Sequence, residues 1–169
     1  VTTIGARAFR GTAIKEIILP DSVTSLEVYA FSECSSLAKV KLNEGLTSIE
    51  SGAFYNCTSL PEITIPKTLT YADSDLYGGG SCGIFEGCSK LKTVILEEGI
   101  KSVPGELFYR ASAFETIIIP QTVTTIGNSA FCNSSLKEIT LPDSVTTIGA
   151  RAFRGTAIKE IILPDSVTS

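Results

Sequence analysis

The sequence predicts an α/β-type solenoid: a parallel, concave β-sheet on one side, short irregular or helical segments on the convex side, and about seven coils of 22–23 residues. Three observations predict it. One apolar pattern recurs along essentially all 169 residues. Each recurrence ends in L-x-x-I-x-L, whose alternation suits a half-buried strand. A phenylalanine returns once per recurrence, in register with everything else.

The units run 1–22, 23–45, 46–68, 69–99, 100–122, 123–144 and 145–166, and residues 167–169 open another. The first aliphatic column reads Val1, Val23, Leu46, Leu69, Ile100, Val123, Val145. The aromatic column reads Phe9, Phe31, Phe54, Phe85, Phe108, Phe131, Phe153, while Phe114 takes a place in the leucine column that follows. The strand centres are Ile17, Val40, Ile63, Val94, Ile117, Ile139 and Ile161. Pro20, Pro66, Pro120, Pro142 and Pro164 end their strands, because proline has no N–H to give a ladder; Asn43 and Glu97 stand in for it in two units. One unit cannot bury its own apolar face, but stacked units can. At about 4.8 Å per strand the rod would be on the order of 34 Å long. The V-T-T-I segments should form the opposite wall. The A-F pair should anchor a short helical or irregular turn, with the phenylalanines as a buried stack.

The string I-G-x-x-A-F-x-x-C-x-x-L-x-x-I-x-L-P, nearly whole in Leu46–Pro66 and Val123–Pro142, resembles the BspA-type (Bacteroides-surface-protein-A-like) leucine-rich repeat, and the resemblance covers essentially the entire chain. It implies a leucine-rich-repeat solenoid with no catalytic residues to carry over. It also implies a protein of the bacterial or protist cell surface, concerned with adhesion and host-protein binding.

Composition narrows the function classes independently. A net charge of -4 opposes nucleic-acid binding, which needs a basic face. No apolar run approaches the roughly 18 residues of a membrane span, and no signal peptide is visible. The absence of histidine removes the commonest general base and metal ligand together. No cofactor is expected. Five cysteines cannot all pair within one chain. Cys34, Cys57 and Cys88 share a position three after Phe, filled by Ala111 in the fifth unit, and read as small buried hydrophobes rather than metal ligands. Cys82 and Cys132 are expected at the surface, reactive and too far apart to bridge.

Residues 145–169 repeat residues 1–25 letter for letter, an offset of 144 that spans six units. Structural constraint keeps columns, not the identities of exposed Lys and Arg. The repeat therefore points to recent tandem duplication, a repeated design or a window onto a longer array. Neither end resembles a capping repeat, and the absent initiator Met suggests processing or a fragment.

Candidate binding residues fall in two places. The fourth unit carries an insertion at 73–83; Tyr71 and Tyr77 flank or enter it, and Tyr55 and Tyr109 follow Phe in the adjoining units. Stacking should gather these four on one flank, where stiff amphipathic rings make good contacts. The outward strand positions mostly alternate Lys and Glu, but Ile95 and Ile118 are uncharged neighbours and could form an apolar patch. Asp73 and Asp75 look like the start of a calcium loop without its later ligands. Gly78, Gly79 and Gly80 lack the lysine of a phosphate loop. Asn56 and Asn133 sit in N-glycosylation sequons at the same turn position, expected to be accessible.

Two functions remain open on the sequence. One is an extracellular or cell-surface module that binds host or other extracellular proteins, or copies of itself end to end in a filament. The other is a passive spacer or engineered scaffold with no ligand.

Overall fold

The computed structural model describes residues 1–72 and 82–168. Along the chain, very short strands alternate between two walls: β1 (Thr3–Ile4), β2 (Glu16–Ile18), β3 (Ser25–Leu26), β4 (Lys39–Lys41), β5 (Ser48–Ile49), β6 (Glu62–Ile65), β7 (Tyr71–Ala72), β8 (Thr93–Leu96), β9 (Ser102–Val103), β10 (Thr116–Ile118), β11 (Thr125–Ile126), β12 (Glu138–Thr140) and β13 (Thr147–Ile148). Odd-numbered strands come from the V-T-T-I segments and even-numbered ones from L-x-x-I-x-L. Every pairing is parallel and one coil apart, such as Ser25 beside Thr3 and Ile63 beside Val94. The first wall forms the sheets β1-β3-β5-β7 and β9-β11-β13. The second forms β2-β4, β6-β8 and β10-β12.

Six turns are complete, not seven. The unit at 145–166 keeps its first strand, but residues 158–163 form none, and Ile162 and Leu163 are exposed there because no described coil lies against them.

The expected helical segments are also absent: the described residues contain no helix. The cause is local. Two residues before each Phe, the backbone is left-handed at Arg7, Tyr29, Gly52, Glu106, Ser129 and Arg151. Two residues after it, the same holds at Gly11, Glu33, Asn56, Gly87, Arg110, Asn133 and Gly155. Left-handed residues on both sides of the Phe leave at most three consecutive residues free to be helical, too few for a helical turn and its hydrogen bonds. The corner becomes a chain of tight turns instead. Its N–H groups bond along the stack rather than along the chain, as where Phe9 donates to Ala30 and Phe31 to Ala53, both at 2.8 Å.

The core is a set of columns running the length of the stack. Phe31, Phe54, Phe85, Phe108 and Phe131 are buried, each ring stacked on the next, and Phe9 and Phe153 extend the stack at either end. Flanking columns of Leu, Ile and Val fill the space between the walls, including Leu37, Leu60, Leu91, Phe114 and Leu136. One buried polar residue is well used: Asn43, in a proline position, donates from Nδ2 to the Pro20 and Val23 carbonyls, both at 2.9 Å.

Candidate binding surface

Strand alternation turns every second residue of the second wall outward. At β8 and β10 this exposes Ile95 and Ile118, 47% and 87% accessible. They border an open, shallow cavity of about 410 Å³, whose rim also includes Lys92, Thr93, Thr116 and Pro120. The Lys92 amine, at the rim, donates to the Ala113 carbonyl at 2.8 Å. A second cavity of about 430 Å³ lies further along the same wall. Its lining is acidic, with Glu138, Asp143 and Glu160 around Ile162.

The tyrosines are distributed over different elements. Tyr55 follows Phe54 in the row of corners, where its ring meets Tyr29 edge to face at 6.5 Å. Tyr109 holds the same corner position two units on, with the Arg110 guanidinium 5.1 Å above its ring. Tyr71 lies on β7 in the first wall, 45% exposed. Tyr77 falls outside the described residues, as do Asp73, Asp75 and the three glycines at 78–80. Tyr29 was not anticipated. Its ring covers Gly52, where any side chain would collide with it, and Arg7 stands 5.7 Å from its centroid. A hydrogen bond with Cys82, aided by partial burial, holds the Tyr29 hydroxyl above its ordinary pKa. Gly52 is the signal that could have revealed this packing, since a large ring needs a bare neighbour in the next coil.

The cysteines divide differently from expectation. Cys34, Cys57 and Cys88 are buried, and each thiol donates to the carbonyl of a Phe one coil back: Phe9 at 3.0 Å, Phe31 at 3.2 Å and Phe54 at 3.0 Å. A hydrogen bond with Cys88 and burial push the Cys57 thiol far up, and burial raises that of Cys34. These thiols are structural donors, and among the described residues no group of three or more His, Cys, Asp or Glu could hold a metal. Cys82 is half-buried. Cys132, expected at the surface, is only 4% exposed: it directly follows buried Phe131 in the corner, at the position where Ser32 of the second unit is buried as well. All five are free.

Asn133 is exposed, whereas Asn56 is half-buried. Both press their Oδ1 against a glycine of the next coil, Gly87 and Gly155 respectively. Charged side chains pair between neighbouring coils: Glu16 with Lys39, Glu44 with Lys67, Glu115 with Lys137, Arg10 with Glu33. These pairs are well exposed and contribute little to stability. Lys137 holds the Glu115 carboxyl below its ordinary pKa through a hydrogen bond.

Stacked coils of one strand per wall, a phenylalanine spine and leucine-filled flanks define a leucine-rich-repeat solenoid. The chain belongs to the family described as BspA type Leucine rich repeat region, which matches residues 2–82 and 81–169 in six copies. Among solved structures it is similar to the T. pallidum Leucine Rich Repeat protein, with 28% identity and a TM-score of 0.70 over 98% of this chain and 72% of the other. It is similar too to a leucine-rich repeat protein of Eubacterium ventriosum, at 25% identity and TM-score 0.60, covering 99% of this chain and 49% of that one. A leucine rich cell surface protein of Faecalibacterium prausnitzii shares 29% identity and a TM-score of 0.54, covering 95% of this chain and 36% of that one. The chain thus spans most of the first and half or less of the others. No curated protein matches it. The family is in general a binding scaffold rather than an enzyme, and no described helix is long and apolar enough to cross a membrane.

Proposed function

We propose that this chain is a non-enzymatic protein-binding module displayed outside the cell, and that its second wall around Ile95 and Ile118 is the contact surface. The observation that carries the reading is the pair of exposed isoleucines side by side over an open cavity, on a wall whose other outward positions are mostly Lys, Glu and Thr, with Ile18 and Ile162 standing singly far from the pair. Apolar groups held on a rigid sheet, in a polar surround, are the usual centre of a protein contact. The partners that fit are extracellular or host proteins. Tyr55, Tyr71, Tyr77 and Tyr109 supply secondary contacts in this reading. The family membership and the Faecalibacterium prausnitzii cell-surface relative support a location at the cell surface.

The test is a pull-down against extracellular host proteins with the whole chain and its I95D/I118D variant. Loss of capture with unchanged melting supports the second wall. Capture that survives I95D/I118D but not removal of 73–81 moves the surface to the insertion. No capture by any form leaves the passive-spacer reading. The letter-for-letter repeat of 1–25 at 145–169 favours a segment of a longer array as well. Light scattering checks that part: growth of mass with concentration supports end-to-end assembly, and a constant monomer refutes it.

A further inference from the structure

Residues 1–22 and 145–166 are one sequence in two settings. The coil at 1–22 carries 23–45 on one face. There Thr3 pairs with Ser25 and Ile17 with Val40, Phe9 N–H donates to the Ala30 carbonyl and Leu19 N–H to that of Lys41, and Leu19 is 5% exposed. The matching face of 145–166 meets no described coil. Its Leu163 is 54% exposed, 160–162 form no strand, and the acidic cavity around Ile162 borders it. On the opposite face the settings are reversed: Val145 and Ala152 are buried, while Val1 and Ala8 are exposed. The corner that carries a following coil is already shaped in both. Left-handed Arg151 (φ 60°) and Gly155 (φ 70°) match Arg7 (φ 59°) and Gly11 (φ 68°).

We propose that 23–45 accepts either coil, so that 145–166 of one copy displaces 1–22 of a second copy and the chains join by exchange. The contacts of the present interface are remade by identical residues. Arg154 takes the place of Arg10 beside Glu33, and Glu160 that of Glu16 beside Lys39. Phe153 takes the place of Phe9, stacked on Phe31 and accepting the Cys34 thiol at its carbonyl. Lys39 and Lys41 bring positive charge to the lining of Glu138, Asp143 and Glu160. Stacking without exchange sets the coil against its own twin. In the same register Glu160 would face Glu16, Arg151 would face Arg7, and Arg154 would face Gly11; like charges directly opposite oppose pairing.

Exchange trades one interface for an identical one. The incoming 145–166 is already ordered against 123–144, whereas the displaced 1–22 regains the conformational entropy that docking took from it. A coil held through a single interface is also among the first to detach. The identity runs to 25 residues, so the joint falls at 22/23, where 167–169 of one copy step aside for 23–25 of the next. The contact is head to tail and does not close on itself, and each copy adds six coils, about 29 Å at one strand spacing per coil. This inference rests on the end-to-end part of the proposed function and names its mechanism; the surface at Ile95 and Ile118 plays no part in it.

Light scattering on the 169-residue chain and its L19D and L163D variants tests it. L19D puts a charge where 23–45 covers the coil, so 1–22 is expelled and 145–166 docks unopposed; assembly is expected at a concentration at least about tenfold lower. L163D charges the incoming face instead and is expected to stay monomeric. L19D assembling no more readily than the unmodified chain would overturn the exchange. If the unmodified chain assembles and L19D does not, coils stack without exchange: end-to-end assembly then stands and this inference falls. Trypsin on the unmodified chain decides the matter should L19D fail to fold. In the assembled fraction, cleavage at Arg7, Arg10 and Lys15 is expected to rise about tenfold and cleavage at Arg154 and Lys159 to fall, the masses of the trimmed chains telling the two ends apart. Cleavage unchanged by assembly at both places would overturn it.

Discussion

Truncating the spine tests whether its interior rings are fully packed. Phe54 is completely buried between Phe31 at 5.5 Å and Phe85 at 5.6 Å, with its ring 12° and 4° from parallel to theirs. Phe9 is 37% exposed and stacks on Phe31 alone at 5.2 Å. A buried Phe→Ala change costs about 3–5 kcal/mol, and each ring contact about 0.5–1.5 kcal/mol beyond area. Phe54→Ala loses full burial and two contacts, so it belongs at the top of that range, about 5 kcal/mol. Phe9→Ala loses about two-thirds of the burial and one contact, hence about 2 kcal/mol. The gap of about 3 kcal/mol becomes about 1.5 M in urea midpoint at a slope of about 2 kcal/mol/M. Urea unfolding followed by circular dichroism makes the measurement. Equal midpoint shifts for the two variants would mean the spine does not pack as described.

Asn43→Ala should cost about 2 kcal/mol in the same assay, because the Pro20 and Val23 carbonyls lose their donor in a buried site. Iodoacetamide labelling of the folded chain, mapped by mass spectrometry, should modify Cys82 and spare Cys34, Cys57, Cys88 and Cys132. For Cys57 the protection should persist at pH 9, since a thiol held far up stays protonated and inert. Modification of Cys57 at the rate of Cys82 would contradict the buried column. The Glu115 carboxyl is depressed by Lys137, so its small contribution is present above the ordinary carboxyl value of 4.5 and is lost as pH falls through the lower folded value. Lys137→Ala should return the Glu115 titration, read by carboxyl-carbon NMR, towards that ordinary value.

Which residues face inward was legible because the seven units test one another: a position that stays apolar down the whole column has to be interior. That reasoning located the Phe spine, both walls, the cysteine column and the exposure of Ile95 and Ile118. It could not see the corners. The left-handed residues there are more often the likes of Arg7, Tyr29, Glu33 and Arg110 than glycine, so composition gave no hint that a helix was blocked. Cys132 was misplaced because the position one after Phe holds Arg10, Ser32, Tyr55, Glu86, Tyr109 and Arg154 in the other units, a mostly polar column that hides its burial at Ser32 and Cys132. Pro104 was equally opaque: only the N–H groups that Glu27, Glu50, Gly127 and Gly149 donate to the preceding coil show what a proline lacks at that position.

The contacts between Asn56 and Gly87, Asn133 and Gly155, and Tyr29 and Gly52 make three of the junctions particular about which coil follows. A single coil copied into a new place would meet the wrong partner, a side chain where a bare glycine is required. Copying six coils together creates no such mismatch. Because 145–166 is identical to 1–22, the junction made by a further block would be one that the molecule already contains. Unequal recombination can therefore lengthen such a gene in steps of 144 codons with every one of these contacts kept, whereas a one-coil step at any of the three junctions would break one.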